Sequence, residues 1–261
     1  MSTALLVAAV LGLIIGALLG LLGGGGSILA VPALIYGVGQ PLAAAVPTAL
    51  LVVGISSAAA VLPRLRQVQW RLAAIFGATG AAAAFGGTAV NRLLDPAVVL
   101  LGFAAVMVIA ALRMLRSSDD AGGSCALPGG GVNWRSCLPK AAASGVVVGF
   151  LTGLFGVGGG FLIIPALTLL LGLPMATAVA TSLVIIVINS AAGFTAHLSD
   201  SPIDIGIAVA FTLAAILGSL AAGHLAPRLP GERLRRWFAY LVLAVAAYVI
   251  AQTVINPGAV T

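Results

Sequence analysis

Residues 20–34 read GLLGGGGSILAVPAL, and residues 153–167 read GLFGVGGGFLIIPAL. The two stretches align without a gap at a separation of 133 residues (153 minus 20). The same separation pairs Gly16 with Gly149, Pro32 with Pro165, Pro41 with Pro174, Thr48 with Thr181 and Ser57 with Ser190. Chance matches of Ala and Leu are expected in an apolar chain. Matches of Gly, Pro and Thr at one fixed offset mark an internal duplication. The chain therefore reads as a first repeat over 1–115, a linker over 116–140 and a second repeat over 141–261. The linker, RSSDDAGGSCALPGGGVNWRSCLPK, is the one long polar stretch and is read as lying outside the membrane.

Outside that linker the chain is apolar. Of 261 residues, 61% are hydrophobic and 7% charged, so the chain cannot furnish the charged surface of a soluble domain. Mean hydropathy is +1.22. Apolar stretches occupy 4–22, 27–39, 41–62, 71–91, 97–113, 141–156, 160–172, 175–196, 204–224 and 237–255. Most approach the roughly 20 residues that span a bilayer core. An all-α, polytopic membrane protein follows. The net charge of +6 sits in short loops, where it orients helices, and gives no reason to expect nucleic acid. The N-terminal segment has neither a basic leader nor a small-residue cleavage site, and is expected to be a retained membrane helix.

Four consecutive glycines, Gly23 to Gly26, interrupt the first apolar run. Residues 4–39 as one straight helix would be about 54 Å long, too long for one crossing. If the chain folds back at the glycines in each repeat, eleven of the twelve basic residues share one side: Arg64, Arg66, Arg71, Arg113, Arg116, Arg135, Lys140, Arg228, Arg233, Arg235 and Arg236. Only Arg92 is left opposite. That bias matches the positive-inside rule and predicts repeats of inverted topology, each a Gly-broken hairpin plus three membrane helices. Both termini then lie outside and the linker in the cytoplasm of a cell whose inner membrane holds the protein. Four crossings per repeat, all in one sense, is the alternative. Cys125 and Cys137 are expected to be two unrelated thiols in reducing surroundings.

The candidate site is built from these interruptions. Gly23, Gly24, Gly25, Gly26 and Ser27 precede one short helix, and Gly156, Gly158, Gly159 and Gly160 precede its counterpart. Non-helical backbone at membrane depth needs protein or water around it. Unpaired N–H groups at a helix start suit an anion, and paired broken helices meet near the midplane in many transporters. Close helix packing is the competing use of glycine, and Gly12, Gly16, Gly20, Gly149 and Gly153 are assigned to it. Pro32 and Pro165 are assigned structural roles in the short helices. The following helices carry Thr48, Ser56 and Ser57 in the first repeat and Thr181, Ser182, Asn189 and Ser190 in the second, polar groups that could bind an oxyanion or join neighbouring helices. No Lys, Arg, Asp or Glu is expected deep in a helix, which points away from divalent cations. No catalytic, cofactor or metal motif is found, so neither an enzyme nor a metalloprotein is expected.

The duplicated Gly-rich turns, each with Pro nine residues after Gly23 or Gly156, resemble the sulfite exporter TauE/SafE family, also called the toluene-sulfonate uptake permease family. So do Arg66-Gln67-Val68-Gln69-Trp70-Arg71-Leu72, Ser201-Pro202-Ile203-Asp204 and Leu234-Arg235-Arg236. Pro47 replaces a usual small residue, and Gln69 stands where Asp is common. The resemblance implies a secondary transporter, usually an exporter, of sulfur-containing oxyanions or organosulfonates such as sulfite or sulfoacetate. An uncoupled anion channel, or a carrier of another small organic anion, is the alternative. An intramembrane enzyme or assembly factor has no motif behind it.

Overall fold

The computed structural model describes residues 3–91, 93–116, 134–155, 160–196, 204–225 and 229–255, and they form helices and short turns with no strand among them. In chain order the helices are α1 (Thr3–Leu22), α2 (Ser27–Pro32), α3 (Leu42–Val61), α4 (Trp70–Asn91), α5 (Pro96–Arg116), α6 (Trp134–Phe155), α7 (Gly160–Pro165), α8 (Met175–Ala196), α9 (Ile205–Leu225) and α10 (Gly231–Ile255). Eight helical spans among the described residues are long and apolar enough to cross a bilayer. The helix α6 begins inside the expected linker, at Trp134. Polar residues such as Arg135 and Lys140 mark where a helix leaves lipid, not where its hydrogen bonding stops.

The glycine interruption reverses the chain. Gly23 has φ +64°, a left-handed conformation that an L side chain rarely adopts, and Gly23–Gly26 form a 3₁₀ turn. Helical hydrogen bonding is otherwise near-continuous from Ala4 to Gly37, yet the segment is not one rod. A Cβ placed on Gly26 would meet the Ile15 carbonyl oxygen and Leu19, and one on Gly37 would meet Leu11. Residues 26–37 thus run back along α1 toward its start, as the hairpin expectation required. The α2 segment with its extension spans too few residues to cross on its own.

The local structure is duplicated along with the sequence. Pro32 and Pro165 each end a six-residue helix with φ −55° and ψ −39°, and each is followed by a π turn, Ala33–Gly37 and Ala166–Leu170. Proline lacks the N–H that would continue the α ladder, so the next turn widens. Gly39 (φ +79°) and Gly172 (φ +68°), again 133 apart, then redirect the chain into α3 and α8.

The most extensive helix pairings join one repeat to the other: α1 with α9, α4 with α6, α5 with α10 and α3 with α8. The first two are small-residue seams. A Cβ on Gly16 would lie 2.1 Å from the Ala215 carbonyl oxygen, and one on Gly20 would lie 2.3 Å from that of Ser219. In the matching seam, a Cβ on Gly149 would lie 2.1 Å from the Gly80 carbonyl oxygen and one on Gly153 would lie 2.0 Å from that of Ala84. Contacts advance together along both helices in each seam, so the partners run parallel. Between α3 and α8, Leu50 meets Gly193 and Gly54 meets Ser190, so this pair runs antiparallel. Backbones this close leave no room for a side chain, which is the packing role expected of these glycines.

Two expectations change. Arg64, taken as a loop residue, is 4% exposed. It lies in the 3₁₀ extension Leu62–Gln67 of α3 and donates from its guanidinium to the Gly20 and Gly223 carbonyl oxygens. Both carbonyls sit in the last turn of a helix, where acceptors are orphaned and the dipole favours a cation. Cys137 is buried and disulfide-bonded, so the expectation of unrelated thiols fails. That expectation weighed the redox compartment, which governs whether a disulfide persists and not whether the chain brings sulfur atoms together. Cys125 lies outside the described residues.

The seams give a direct prediction. Gly149→Val should destabilise by overpacking, by about 1–3 kcal/mol or more, and lower both folded yield and Tm in detergent. Gly102→Ala, whose new methyl would sit 3.7 Å from Phe155, should leave both unchanged.

Candidate functional site

Where the two repeats meet, α2, α3, α4, α6 and α8 enclose a cavity of about 360 Å³. Its wall is largely apolar, with Ser27, Thr88, Asn91, Thr152, Asn189 and Ser190 as the polar side chains. No charged residue is among the described lining residues. Two of the lining residues on α4, Phe85 and Thr88, are exposed. Lining glycines Gly80, Gly149 and Gly153 belong to the α4–α6 seam, so the same close packing that holds the repeats together shapes one wall.

Most of the hydroxyls are committed. Ser27 Oγ donates to the Gly24 carbonyl (2.7 Å), Thr152 Oγ1 to Val148 (2.7 Å) and Thr88 Oγ1 to Ala84 (3.0 Å). Asn91 Nδ2 donates across the seam to the Leu154 carbonyl (2.6 Å). Asn189 differs. Its Oδ1 is buried and has no hydrogen-bond partner among the described residues. A buried amide oxygen without a partner is destabilising by about 1–3 kcal/mol, and is kept where a ligand or water satisfies it. A half-turn of the amide exchanges Oδ1 and Nδ2 at almost no steric cost, so the same position can offer a donor.

The expected site residues divide into three groups. Ser27, Asn189 and Ser190 line the cavity. A second group is buried beside it. Gly23 to Gly26 are buried, and a Cβ on Gly24 would run into the Gly160 carbonyl oxygen, so the two interruptions do meet. A Cβ on Gly160 would in turn lie 2.4 Å from Ser27 Oγ, and one on Gly23 2.9 Å from Ser182 Oγ. Thr48 donates to the Ala44 carbonyl, Ser56 to Val52 and Ser182 to Val179, while Thr181 Oγ1 accepts the Gln69 N–H at 3.2 Å. Ser57 is fully buried, with no partner for its Oγ among the described residues. The third group, Gly156, Gly158 and Gly159, lies outside the described residues.

The helix-start idea is narrowed by the geometry. The 3₁₀ turn runs directly into α2, and the Ser27 N–H already donates to the Gly24 carbonyl. Side chains, more than backbone donors at Ser27, face the cavity. Sequence reasoning missed Thr88, Asn91 and Thr152. Thr88 and Asn91 are three apart on α4 and so share a helix face, the one signal that could have found them.

A helical bundle of this kind, with a polar-studded cavity between its repeats, is that of a polytopic membrane protein, and the comparisons that follow make it a membrane transporter. The family model for "Sulfite exporter TauE/SafE" matches residues 8–249, and the chain belongs to this family. The chain is 35% identical over 246 residues to a "Probable membrane transporter protein" of Xylella fastidiosa, covering 91% of each chain. It is 31% identical over 222 residues to "Probable membrane transporter protein YunE" of Bacillus subtilis, covering 75% of this chain and 78% of that one. No solved structure matches.

If the cavity is the solute's path, filling it should stop transport without unfolding the protein. Ala49→Phe, which projects into the cavity, should abolish flux in proteoliposomes while the Tm in detergent falls by only a few degrees.

Proposed function

We propose that this protein is a secondary transporter that exports small sulfur-containing oxyanions or organosulfonates, such as sulfite or sulfoacetate, through the cavity between its repeats. The observation that carries this reading is the buried Asn189 Oδ1, without a partner among the described residues, in a cavity whose described lining residues include none that is charged. Neutral dipoles hold an anion weakly enough to release it, which a transporter requires. A volume of about 360 Å³ is at the small end of ligand pockets, roughly 300–1,000 Å³, and suits a small solute. The family's printed name supplies the sulfite class. Asn189 and Ser190 would contact the oxyanion, Ser27 would release its bond to Gly24 to donate to it, and the Gly-rich turns behind Ser27 would let the two repeats approach.

In this reading the repeats are inverted, with the arginine-rich ends of the helices in the cytoplasm. The antiparallel crossing of α3 and α8, which hold equivalent places in the two repeats, supports it. The disulfide of Cys137 pulls the other way, because such bonds persist in oxidising compartments. The charge bias carries more weight, since it sums eleven residues. After reduction, an impermeant thiol reagent should label the linker only from the cytoplasmic face. Labelling in intact cells would overturn the orientation.

Reconstituted protein should move labelled sulfite. Asn189→Ala should lower the rate roughly 10- to 100-fold, the loss expected for one hydrogen bond to a charged group. Asn189→Asp, which places a like charge in the cavity, should abolish flux. Equal rates for all three proteins would sink the assignment. That no titratable side chain is among the described lining residues also favours an uncoupled anion path. Counterflow separates the two readings: a carrier shows it and a channel does not.

A further inference from the structure

The two repeats match in sequence but not in packing. The offset of 133 relates cavity residues Ser27, Val31, Asn189 and Ser190 to Gly160, Ile164, Ser56 and Ser57. The first set lines the cavity, and of its members only Ser190, at 4% exposure, is buried. Every member of the second set is buried, with Ile164, Ser56 and Ser57 at 0% exposure. On the open side α4 and α8 both line the cavity, and they meet beyond it where Gly77 faces Ile188. On the matching side α9 is joined to α3, where Ser219 Oγ lies 3.4 Å from the Ser56 carbonyl oxygen. Arg64 closes that same side, reaching from the end of α3 to the last turns of α1 and α9. Ser57 Oγ, the counterpart of the cavity hydroxyl of Ser190, is left there with no partner among the described residues.

We infer that the Arg64 side holds a second half-path, shut in this structure, lined by Ser56, Ser57 and Ser182 and latched by Arg64. The unpartnered hydroxyl of Ser57 is explained if that face opens to the solute in another state. Opening requires α9 and the end of α1 to part from α3, and the guanidinium bonds to Gly20 and Gly223 are the contacts that span that seam. Those two carbonyls keep the arginine in place because each is an orphan acceptor at a helix end. The half-path is for the same small oxyanion as the open cavity, and in that respect it rests on the proposed function. The latch itself does not depend on which solute is carried.

The test is thiol accessibility in the full chain, without substrate. Ser190→Cys and Ser57→Cys are each made in the native protein and in Arg64→Ala, with the cysteine content of the native chain as background. A membrane-impermeant methanethiosulfonate is applied to right-side-out and to inside-out vesicles. S190C should be labelled from one face in both backgrounds, which also reports that the Arg64→Ala protein is folded. S57C should be labelled slowly in the native background. In Arg64→Ala it should be labelled from the face opposite to S190C, faster by about tenfold or more, the shift expected for losing a hydrogen bond to a charged donor. No acceleration in a protein that still labels S190C, or labelling of S57C from the S190C face, overturns the proposal. Adding sulfite should slow S190C labelling. Failure of that step alone, with the latch result intact, overturns the solute assignment and leaves the second half-path standing.

Discussion

Backbone meeting backbone is the constraint on which the rest of this protein depends. At Gly16 against Ala215 and at Gly149 against Gly80, main chains touch with no side chain between them. Lipid tails are as apolar as leucine, so burial of apolar surface gives helices little reason to associate in a bilayer. Close van der Waals contact does. These two seams bind α1 to α9 and α6 to α4, and each ties one repeat to the other. The remaining helices, the cavity and the Gly23–Gly26 turn are positioned relative to this frame.

The seams also shape the cavity. The α4–α6 seam brings Gly80, Gly149 and Gly153 to the wall, and the absence of side chains there leaves the volume open. Polar groups are then added singly, from Ser27, Thr88, Asn91, Thr152, Asn189 and Ser190. Four of the six already bond to backbone carbonyls, which lowers the desolvation penalty of keeping them in the membrane. Asn189 is not one of these four, its buried Oδ1 has no partner among the described residues, and function is assigned to it.

Much of this was legible in the sequence because it is written twice. The short helix ended by Pro32 and the redirecting Gly39 recur as features 133 residues later, and a helix breaker acts locally. Asn189 was legible because an amide in an apolar helix has few other reasons to be there. Arg64 was not. It sits beside Pro63 in an arginine-rich turn that reads as loop, and its burial comes from carbonyls 44 and 159 residues away. Thr88 and Thr152 were equally hidden, since threonine is unremarkable in membrane helices until a partner helix leaves a gap beside it. The disulfide of Cys137 ran against the compartment argument because two indicators of sidedness disagree within one segment.

The exchange of partners between repeats has a consequence for how the chain is made. The glycine face of α1 is covered by α9, and Gly16 waits for Ala215. That partner is 199 positions downstream (215 minus 16). At about 5–20 residues per second, the ribosome needs on the order of 10 to 40 s to deliver it. During that interval the first helix stands in the bilayer with its small-residue groove open. The first half emerging from the translocon is therefore an incomplete object, with lipid against the groove until α9 arrives.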